Sequence, residues 1–433
     1  MNNLIESAET PPTVRPPLPY TELSGFEVIS EEERALQSAV HRFAADVVRP
    51  AGVALDAMSA EDTVGPNSPI WEVFAKAATL GLDADPDPDI PLPVLARIQA
   101  LAVEELGWGD AGLAVSLGVA GFPLQMAKRA GREELVEMCT GRIGCWIGTQ
   151  PDRGSDGLMI YPEERHPRAT HGTKGSLTAK VSGGDIVING QSSAWVSNGP
   201  IAQVGLISIN AEYGHGFFDE QGHPHGIEAI VPLDLPGVSR GKPLEKLGKR
   251  AQPQGEIYFD DVKIPLSFAL TDEEHYWLGH AATWSTAGVA MGQTMTGLAR
   301  AAFEHALNYA HTREQGGSVI ADHQLVQYRL GLMGRKVEMM RAYARRATEY
   351  TLTSPVKHPY YTASSKAAVT DLAFEVADEA VQIFGGNGLT KEYPVEKLFR
   401  DARAARIEDG ENHVLTMRFG YLSSLMHRAG RGA

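Results

Sequence analysis

The sequence predicts an α+β protein with an N-terminal helical domain, a middle β-barrel or β-sandwich domain and a C-terminal four-helix bundle. Three observations predict this order. Apolar residues recur at helical spacing over 26–146, alternate with a period of two over 147–265, and return to helical spacing over 272–430. A proline-rich tail over 1–25 precedes them.

The N-terminal helical domain is indicated by a start signal and a long apolar pattern. Ser30 followed by Glu33 predicts a capping box at the first helix. Prolines and Asp-Pro steps interrupt the helices over 83–93, and LARIQALAVEELG then resumes the helical pattern.

The middle domain begins with a predicted hairpin, SLTAKVSGGDIVING, closed by Gly183 and Gly184. Three further stretches alternate like strands: AQVGLISIN, IEAIVPLD and GEIYFDDVKIP. In the C-terminal part, the periodicity predicts two long amphipathic helices of an antiparallel bundle. Their apolar faces carry Leu330, Met333, Val337, Met340 and Tyr343, and Val369, Leu372, Val376, Ala380 and Ile383.

Composition excludes several classes of function. The net charge of −15, from 39 basic and 54 acidic residues, argues against a nucleic-acid partner. Only two cysteines are present, Cys139 and Cys145, which favours a reducing, cytoplasmic compartment; their spacing predicts no metal site. No apolar run reaches the roughly 18 residues needed to span a membrane.

Four motifs carry the functional information. GTQPDRGSD (148–156) combines hydroxyls with glycines and suits an anion-binding loop, although alone it would be an ordinary polar turn. AWVSNG (194–199) places a tryptophan in a strand, where such residues usually join the core. LGKRAQPQGEIYFDDVKIP (247–265) predicts the last strand of the β domain, with Arg250 as an ion-pair partner.

The fourth motif is the most specific. YAHTREQGGS and DHQLVQYRLGLM (309–333) are followed by QIFGGNG (382–388), KEYP and RDAR. The adjacent glycines suit a helix C-cap, and they also remove side chains where a ligand must approach the backbone.

In order and spacing, these motifs resemble the FAD-dependent acyl-CoA dehydrogenase family from residue 26 onward. The resemblance implies that Thr149 touches the flavin ring and that Ser155 bonds the pyrophosphate. It also implies that Trp195 covers a face of the flavin and that Ser197 bonds near its N5 atom.

The fourth motif implies contacts between subunits. In the family, the equivalents of Arg313 and Gln324 contact FAD from a neighbouring subunit. The segment containing Gln382, Gly385 and Gly386 crosses the interface to the other end of the cofactor. The resemblance therefore implies a homotetramer or homodimer in fatty acid or lipid metabolism, with an electron-transfer flavoprotein as the electron acceptor.

The segment IEDGE holds the predicted catalytic base. Aligned from Arg400, the family's catalytic glutamate falls on Asp409, with Glu408 as the fallback. In the family this carboxylate removes the α-proton of an acyl thioester while the β-hydrogen leaves as hydride to flavin N5. Aspartate has the same chemistry but a shorter reach. Without the resemblance, Asp409-Gly410 would indicate only a tight turn.

Several positions depart from the family pattern. Glu411 replaces a threonine that contacts FAD, and His413 matches a glutamine near the cofactor. Ser285 and Gly288 stand where a D-x-x-R pair usually holds the CoA side of the substrate. TWSTAGVAMG, the region of an alternative catalytic glutamate, contains no carboxylate.

Three functions remain open at this point. The first is α,β-dehydrogenation of an acyl thioester. The second is a same-fold oxidase or monooxygenase that does not use CoA, similar to nitroalkane oxidase, which uses an aspartate base. The third is a base-deficient partner subunit of a hetero-oligomeric dehydrogenase.

Overall fold

The computed structural model describes residues 29–81, 87, 89–158, 174–220, 222–354 and 359–430. The predicted proline-rich tail over 1–25 and most of the Asp-Pro steps lie outside these residues. The described parts form a helical region, a mixed sheet and a second helical region in chain order, which confirms the predicted α+β class.

The described residues of the N-terminal region form eight α-helices, and the predicted capping box is confirmed. Glu33 N donates to Ser30 Oγ at 3.2 Å, and Ser30 N donates to Glu33 Oε2 at 2.7 Å. A single π-helical turn, Ala44–Val48, joins the first two helices. The helices are α1 (Glu31–Phe43), α2 (Arg49–Asp56), α3 (Ala60–Thr63), α4 (Ile70–Ala78), α5 (Leu92–Gly109), α6 (Ala111–Ala120), α7 (Phe122–Arg129) and α8 (Glu133–Cys139).

The middle region is a seven-stranded mixed sheet in the order β1-β4-β2-β3-β7-β6, with β5 paired to β4. Its strands are β1 (Gly144–Ile147), β2 (Thr178–Ser182), β3 (Asp185–Gln191), β4 (Val204–Glu212), β5 (Gly226–Pro232), β6 (Val238–Arg240) and β7 (Ile257–Pro265). The predicted hairpin is β2–β3, where Gly183 and Gly184 adopt φ values of 62° and 88°. The first strand begins at Gly144, slightly ahead of the predicted boundary.

The C-terminal region packs long helices around a shared apolar core. A two-stranded hairpin, β8 (Glu314–Gln315) and β9 (Ser318–Val319), connects its first two helices. The helices are α9 (Tyr276–Thr312), α10 (Gln324–Thr353), α11 (Pro359–Phe384), α12 (Val395–Ala405) and α13 (Asn412–Ala429). The predicted face of α10 is buried, except that Tyr343 is only partly covered.

Buried ion pairs fasten the N-terminal region to the bundle. Glu105 on α5 pairs with Arg300 on α9 at 2.5 Å, and Glu104 contacts Arg341 on α10 at 3.0 Å. Burial raises the pKa of Glu105, but the Arg300 guanidinium outweighs it and holds that pKa at about 2. These charges are therefore kept ionised and paired. None of the helices within the described ranges is long and apolar enough to cross a membrane.

Candidate active site

The segment IEDGE (407–411), called the acidic turn below, links α12 to α13. Asp409 and Gly410 both have positive φ, at 53° and 95°, so the tight turn indicated by Asp-Gly is present. Lys366 on α11 holds the acidic turn, because its ammonium group donates to Gly410 O at 2.5 Å and to Asn412 Oδ1 at 2.9 Å. These two hydrogen bonds tie the turn to the bundle.

Glu408 is held by two donors from the β domain. Lys249 Nζ lies 2.5 Å from its Oε2 atom, and Gln252 Nε2 donates to its Oε1 atom at 2.6 Å. Lys249 is 2% exposed. Burial raises the pKa of Glu408, but the Lys249 charge and these hydrogen bonds outweigh it and lower the pKa. Glu408 is therefore an ionised, fully engaged ion-pair partner.

The carboxyl group of Asp409, unlike that of Glu408, is not held by an ion pair among the described residues. Its side chain is partly buried, and within the described residues no hydrogen bond to its carboxyl group is found. Burial, followed by the neighbouring Glu408 charge, raises its pKa to about 6, against the opposing pull of Lys366 and Lys249. A carboxyl group with a pKa close to neutrality and no committed partner is suited to general base chemistry.

The AWVSNG segment meets the acidic turn through Gln252. The same Nε2 group that donates to Glu408 donates to Ser197 Oγ at 2.7 Å. The sequence predicts a strand at Trp195, but the structure places this residue in a turn between β3 and β4, two positions before Ser197, with 61% of its surface exposed. An exposed indole next to buried polar groups offers a wall for a flat ligand.

The GTQPDRGSD loop reaches the other side of the turn. Glu411 N donates to Ser155 Oγ at 2.9 Å, and Thr149 Oγ1 lies 2.6 Å from Ser193 Oγ. Ser155, Ser197 and the acidic turn are therefore connected by short hydrogen-bond paths within one protomer.

Glu411 has a role that the sequence analysis did not predict: it caps α13. Its carboxylate accepts from Val414 N at 3.0 Å and lies 2.6 Å from the exposed His413 Nδ1. Burial raises the pKa of Glu411, but hydrogen bonds from the backbone N–H groups of His413 and Val414 together outweigh it and lower the pKa. The carboxylate is thus directed to the helix N-terminus.

The second set of predicted cofactor residues lies elsewhere on the protomer. All five are exposed at the far end of the bundle: Arg313, Gln324, Gln382, Gly385 and Gly386. Lys366 and Gln382 lie on the same helix, and their separation in sequence corresponds to about 24 Å along its axis. One protomer therefore does not bring this set to Asp409.

Sequence reasoning missed the basic residues around the turn. Lys249 and Lys366 are among the largest fully buried side chains, yet nothing in their local sequence distinguishes them from surface lysines. Arg250, expected as an ion-pair partner, does pair with Glu245 at 3.3 Å. Its closer contacts are with the carbonyl oxygens of Asp56 and Met58, at 2.9 and 2.8 Å.

Comparison with known proteins identifies the family. The family model of the acyl-CoA dehydrogenase middle domain matches residues 145–262, and that of the C-terminal domain matches residues 284–420. The chain belongs to the acyl-CoA dehydrogenase family. The predicted resemblance is confirmed, and membership places the chain among flavin-dependent oxidoreductases.

Individual relatives agree with this assignment. Cyclohexane-1-carbonyl-CoA dehydrogenase of Geobacter metallireducens is 28% identical over 402 residues, covering 89% of this chain and 95% of that protein. The mitochondrial short-chain specific acyl-CoA dehydrogenase of Bos taurus is 27% identical over 325 residues, 73% of each chain. The structure of butyryl-CoA dehydrogenase from Megasphaera elsdenii shares the fold, with a TM-score of 0.75, 23% identity and coverage of 92% and 99%.

The described residues fit the family's FAD. At the acidic turn, the exposed indole of Trp195 offers a flat surface for the flavin ring. Hydrogen-bonding hydroxyl groups are supplied there by Thr149, Ser155 and Ser197. At the far end of the bundle, a Cβ added to Gly385 or Gly386 would meet nothing within 4 Å, so the backbone there is open to a ligand.

Proposed function

We propose that the protein is an FAD-dependent acyl-CoA dehydrogenase that introduces an α,β-double bond into an acyl thioester, with Asp409 as the base. One observation carries this proposal: of two adjacent carboxylates, Glu408 is bound by Lys249 and Gln252, whereas Asp409 accepts no hydrogen bond from the residues that the structure describes and has a pKa of about 6. The uncommitted group is the one able to accept a proton.

Each site residue has its own role in the proposed reaction. Asp409 removes the α-proton, and Lys366 keeps the turn in place through Gly410 O. When bound, FAD supplies the hydride acceptor for the β-hydrogen. Trp195 and Ser197 would hold the ring system of the bound cofactor, and Ser155 would contact its phosphates.

The proposal includes a cofactor site shared between subunits. The set of Arg313, Gln324, Gln382, Gly385 and Gly386 would contact the FAD of a neighbouring copy, in a homotetramer or homodimer. Exposed apolar side chains beside this set support an interface there, because such residues rarely cluster on a free surface. They are Leu325, Tyr328 and Leu389, at 64%, 64% and 78% exposure.

The substrate class rests on the relatives. The CoA thioester named for the Geobacter protein supports an acyl-CoA, and an electron-transfer flavoprotein remains the expected acceptor. Participation in lipid metabolism and a cytoplasmic location remain predictions.

Anaerobic mixing of the flavin-loaded protein with a panel of acyl-CoAs tests the proposal. We expect at least one thioester to bleach the oxidised flavin and to yield the enoyl product. If no acyl-CoA bleaches the flavin, the proposal fails.

A second function is favoured by the position of Ser285. This residue stands where the family usually has an acidic CoA contact, but it is 1% exposed and accepts from Thr362 Oγ1 on α11 at 3.3 Å. A serine supplies no charge at this position, which supports a same-fold oxidase that takes a CoA-free acidic substrate. Oxygen uptake with a nitroalkane would favour this function; reoxidation by a dye but not by oxygen would exclude it.

A further inference from the structure

A cluster of two imidazoles and one carboxylate lies outside the candidate active site. It joins the β4–β5 connection to the segment that enters α9. His215 Nε2 lies 2.7 Å from Glu273 Oε1, and His225 Nδ1 lies 3.3 Å from the same oxygen. One nitrogen from each imidazole and one oxygen of the carboxylate all lie within 4.8 Å of one another.

This set of donors matches the preferences of a first-row divalent metal ion. Imidazole nitrogen and carboxylate oxygen are common zinc ligands, and three protein ligands leave one position for water. At metal–ligand distances of about 2.0–2.2 Å, two ligands of a tetrahedral site lie roughly 3.4 Å apart. The His225–Glu273 distance of 3.3 Å already has this value.

Two local adjustments would admit the ion. The His215–Glu273 contact would open by less than about 1 Å, and the His215 side chain is free to move because it is 57% exposed. His225 is better fixed, since its side chain is 12% exposed and its Nδ1 also donates to Gly216 O at 2.9 Å. Coordination through His225 Nδ1 would release its proton and replace the hydrogen bond to Gly216 O.

We propose that His215, His225 and Glu273 bind a divalent transition metal ion of the zinc type. The ion would clamp the β4–β5 connection to the start of α9. Glu273 lies just before Tyr276, whose ring packs so closely on Gly226 that an added Cβ there would come within 2.1 Å of it. The metal would therefore act on a contact between the sheet and the bundle.

The sequence predicts no metal site, because neither cysteine has the spacing of a metal ligand. The three ligands lie 10 and 48 positions apart in sequence, a spacing that matches no short metal motif. They converge because β4 and β5 are paired and the chain returns from β7 to the same edge.

Metal titration of the full-length protein after chelator treatment tests the site. We expect Zn²⁺ to bind with about one equivalent and Co²⁺ to give the absorption of a nitrogen- and oxygen-ligated ion. His215→Ala, His225→Ala and Glu273→Gln should each weaken Zn²⁺ binding at least about tenfold, since loss of an outer-shell partner alone has that effect.

His223→Ala is the matched control. His223 belongs to the same connection but pairs with Asp219 at 2.7 Å, outside the cluster. Zn²⁺ should raise the melting temperature of the wild type and of His223→Ala, and should leave that of His215→Ala unchanged. Absence of saturable binding to the wild type, or equal affinity in all five proteins, overturns the proposal.

Discussion

Two carboxylates stand side by side at positions 408 and 409, and their surroundings differ. Lys249 and Gln252 bind Glu408, whereas the described residues offer Asp409 only the longer-range charges of Lys366 and Lys249. Alignment with the family placed the base at 409, but sequence alone left Glu408 as a fallback. The ion pair of Glu408 supports the proposal that Asp409 is the base, because a base needs a free lone pair directed at the substrate.

The pKa of Asp409 predicts a pH dependence for flavin reduction. Only the ionised carboxylate accepts a proton, and burial raises its pKa to about 6. The rate of substrate-driven reduction should therefore increase with pH through about 6 and level off above about 7. Anaerobic stopped-flow measurements across this range test the prediction; a rate independent of pH would count against it.

The raised pKa of Asp409 also predicts how the folding stability of the protein depends on pH. A carboxyl group whose folded pKa exceeds its ordinary value of 3.8 binds its proton more tightly in the folded state. Its contribution to stability is therefore fully present below about pH 4 and is lost as the pH rises through about 6. Asp409→Asn should unfold at higher denaturant concentration than the wild type at pH 7.5, with little difference at pH 4. Equal pH dependence in both proteins would contradict this.

At the scale of elements, α13 depends on a cap that the sequence did not reveal. Glu411 was expected near the cofactor, whereas its carboxylate accepts from Val414 N at 3.0 Å. Ser30 and Glu33 were recognisable as a cap because Ser-x-x-Glu is a known start signal, but glutamate is not a usual N-cap residue.

Removal of this cap should loosen α13. We expect Glu411→Ala to lower the free energy of unfolding by about 1 kcal/mol, while Glu411→Asp, which keeps a capping carboxylate, restores most of it. Denaturant unfolding of the two variants beside the wild type measures the effect. Equal losses in both variants would show that capping is not the role of this side chain.

At the scale of the molecule, periodicity and turn residues were enough to predict the order of helical, sheet and helical regions. The hairpin at Gly183-Gly184 was also predictable, because both partners are close in sequence. The Lys249–Glu408 pair was not, because its members lie 159 positions apart and burial of a lysine leaves no local signal. Long-range charge pairs of this kind depend on how the domains pack.

The distance of about 24 Å between Lys366 and Gln382 predicts that each cofactor site needs two copies of the chain. Mixing Asp409→Asn subunits with Arg313→Ala subunits tests this. In a shared site, a mixed dimer combines the intact Asp409 of one subunit with the intact Arg313 of the other. Random reassembly should restore about a quarter of wild-type activity. If each site lies within one subunit, no activity returns.

The most direct test of the central claim compares Asp409→Asn with Glu408→Gln in anaerobic flavin reduction, normalised to bound flavin. We expect Asp409→Asn to retain FAD and to reduce it about 10²–10⁴-fold more slowly, the usual contribution of a general base. Glu408→Gln should stay within about tenfold of the wild type per bound flavin. Unchanged reduction in Asp409→Asn together with its loss in Glu408→Gln would contradict the assignment of Asp409 as the base.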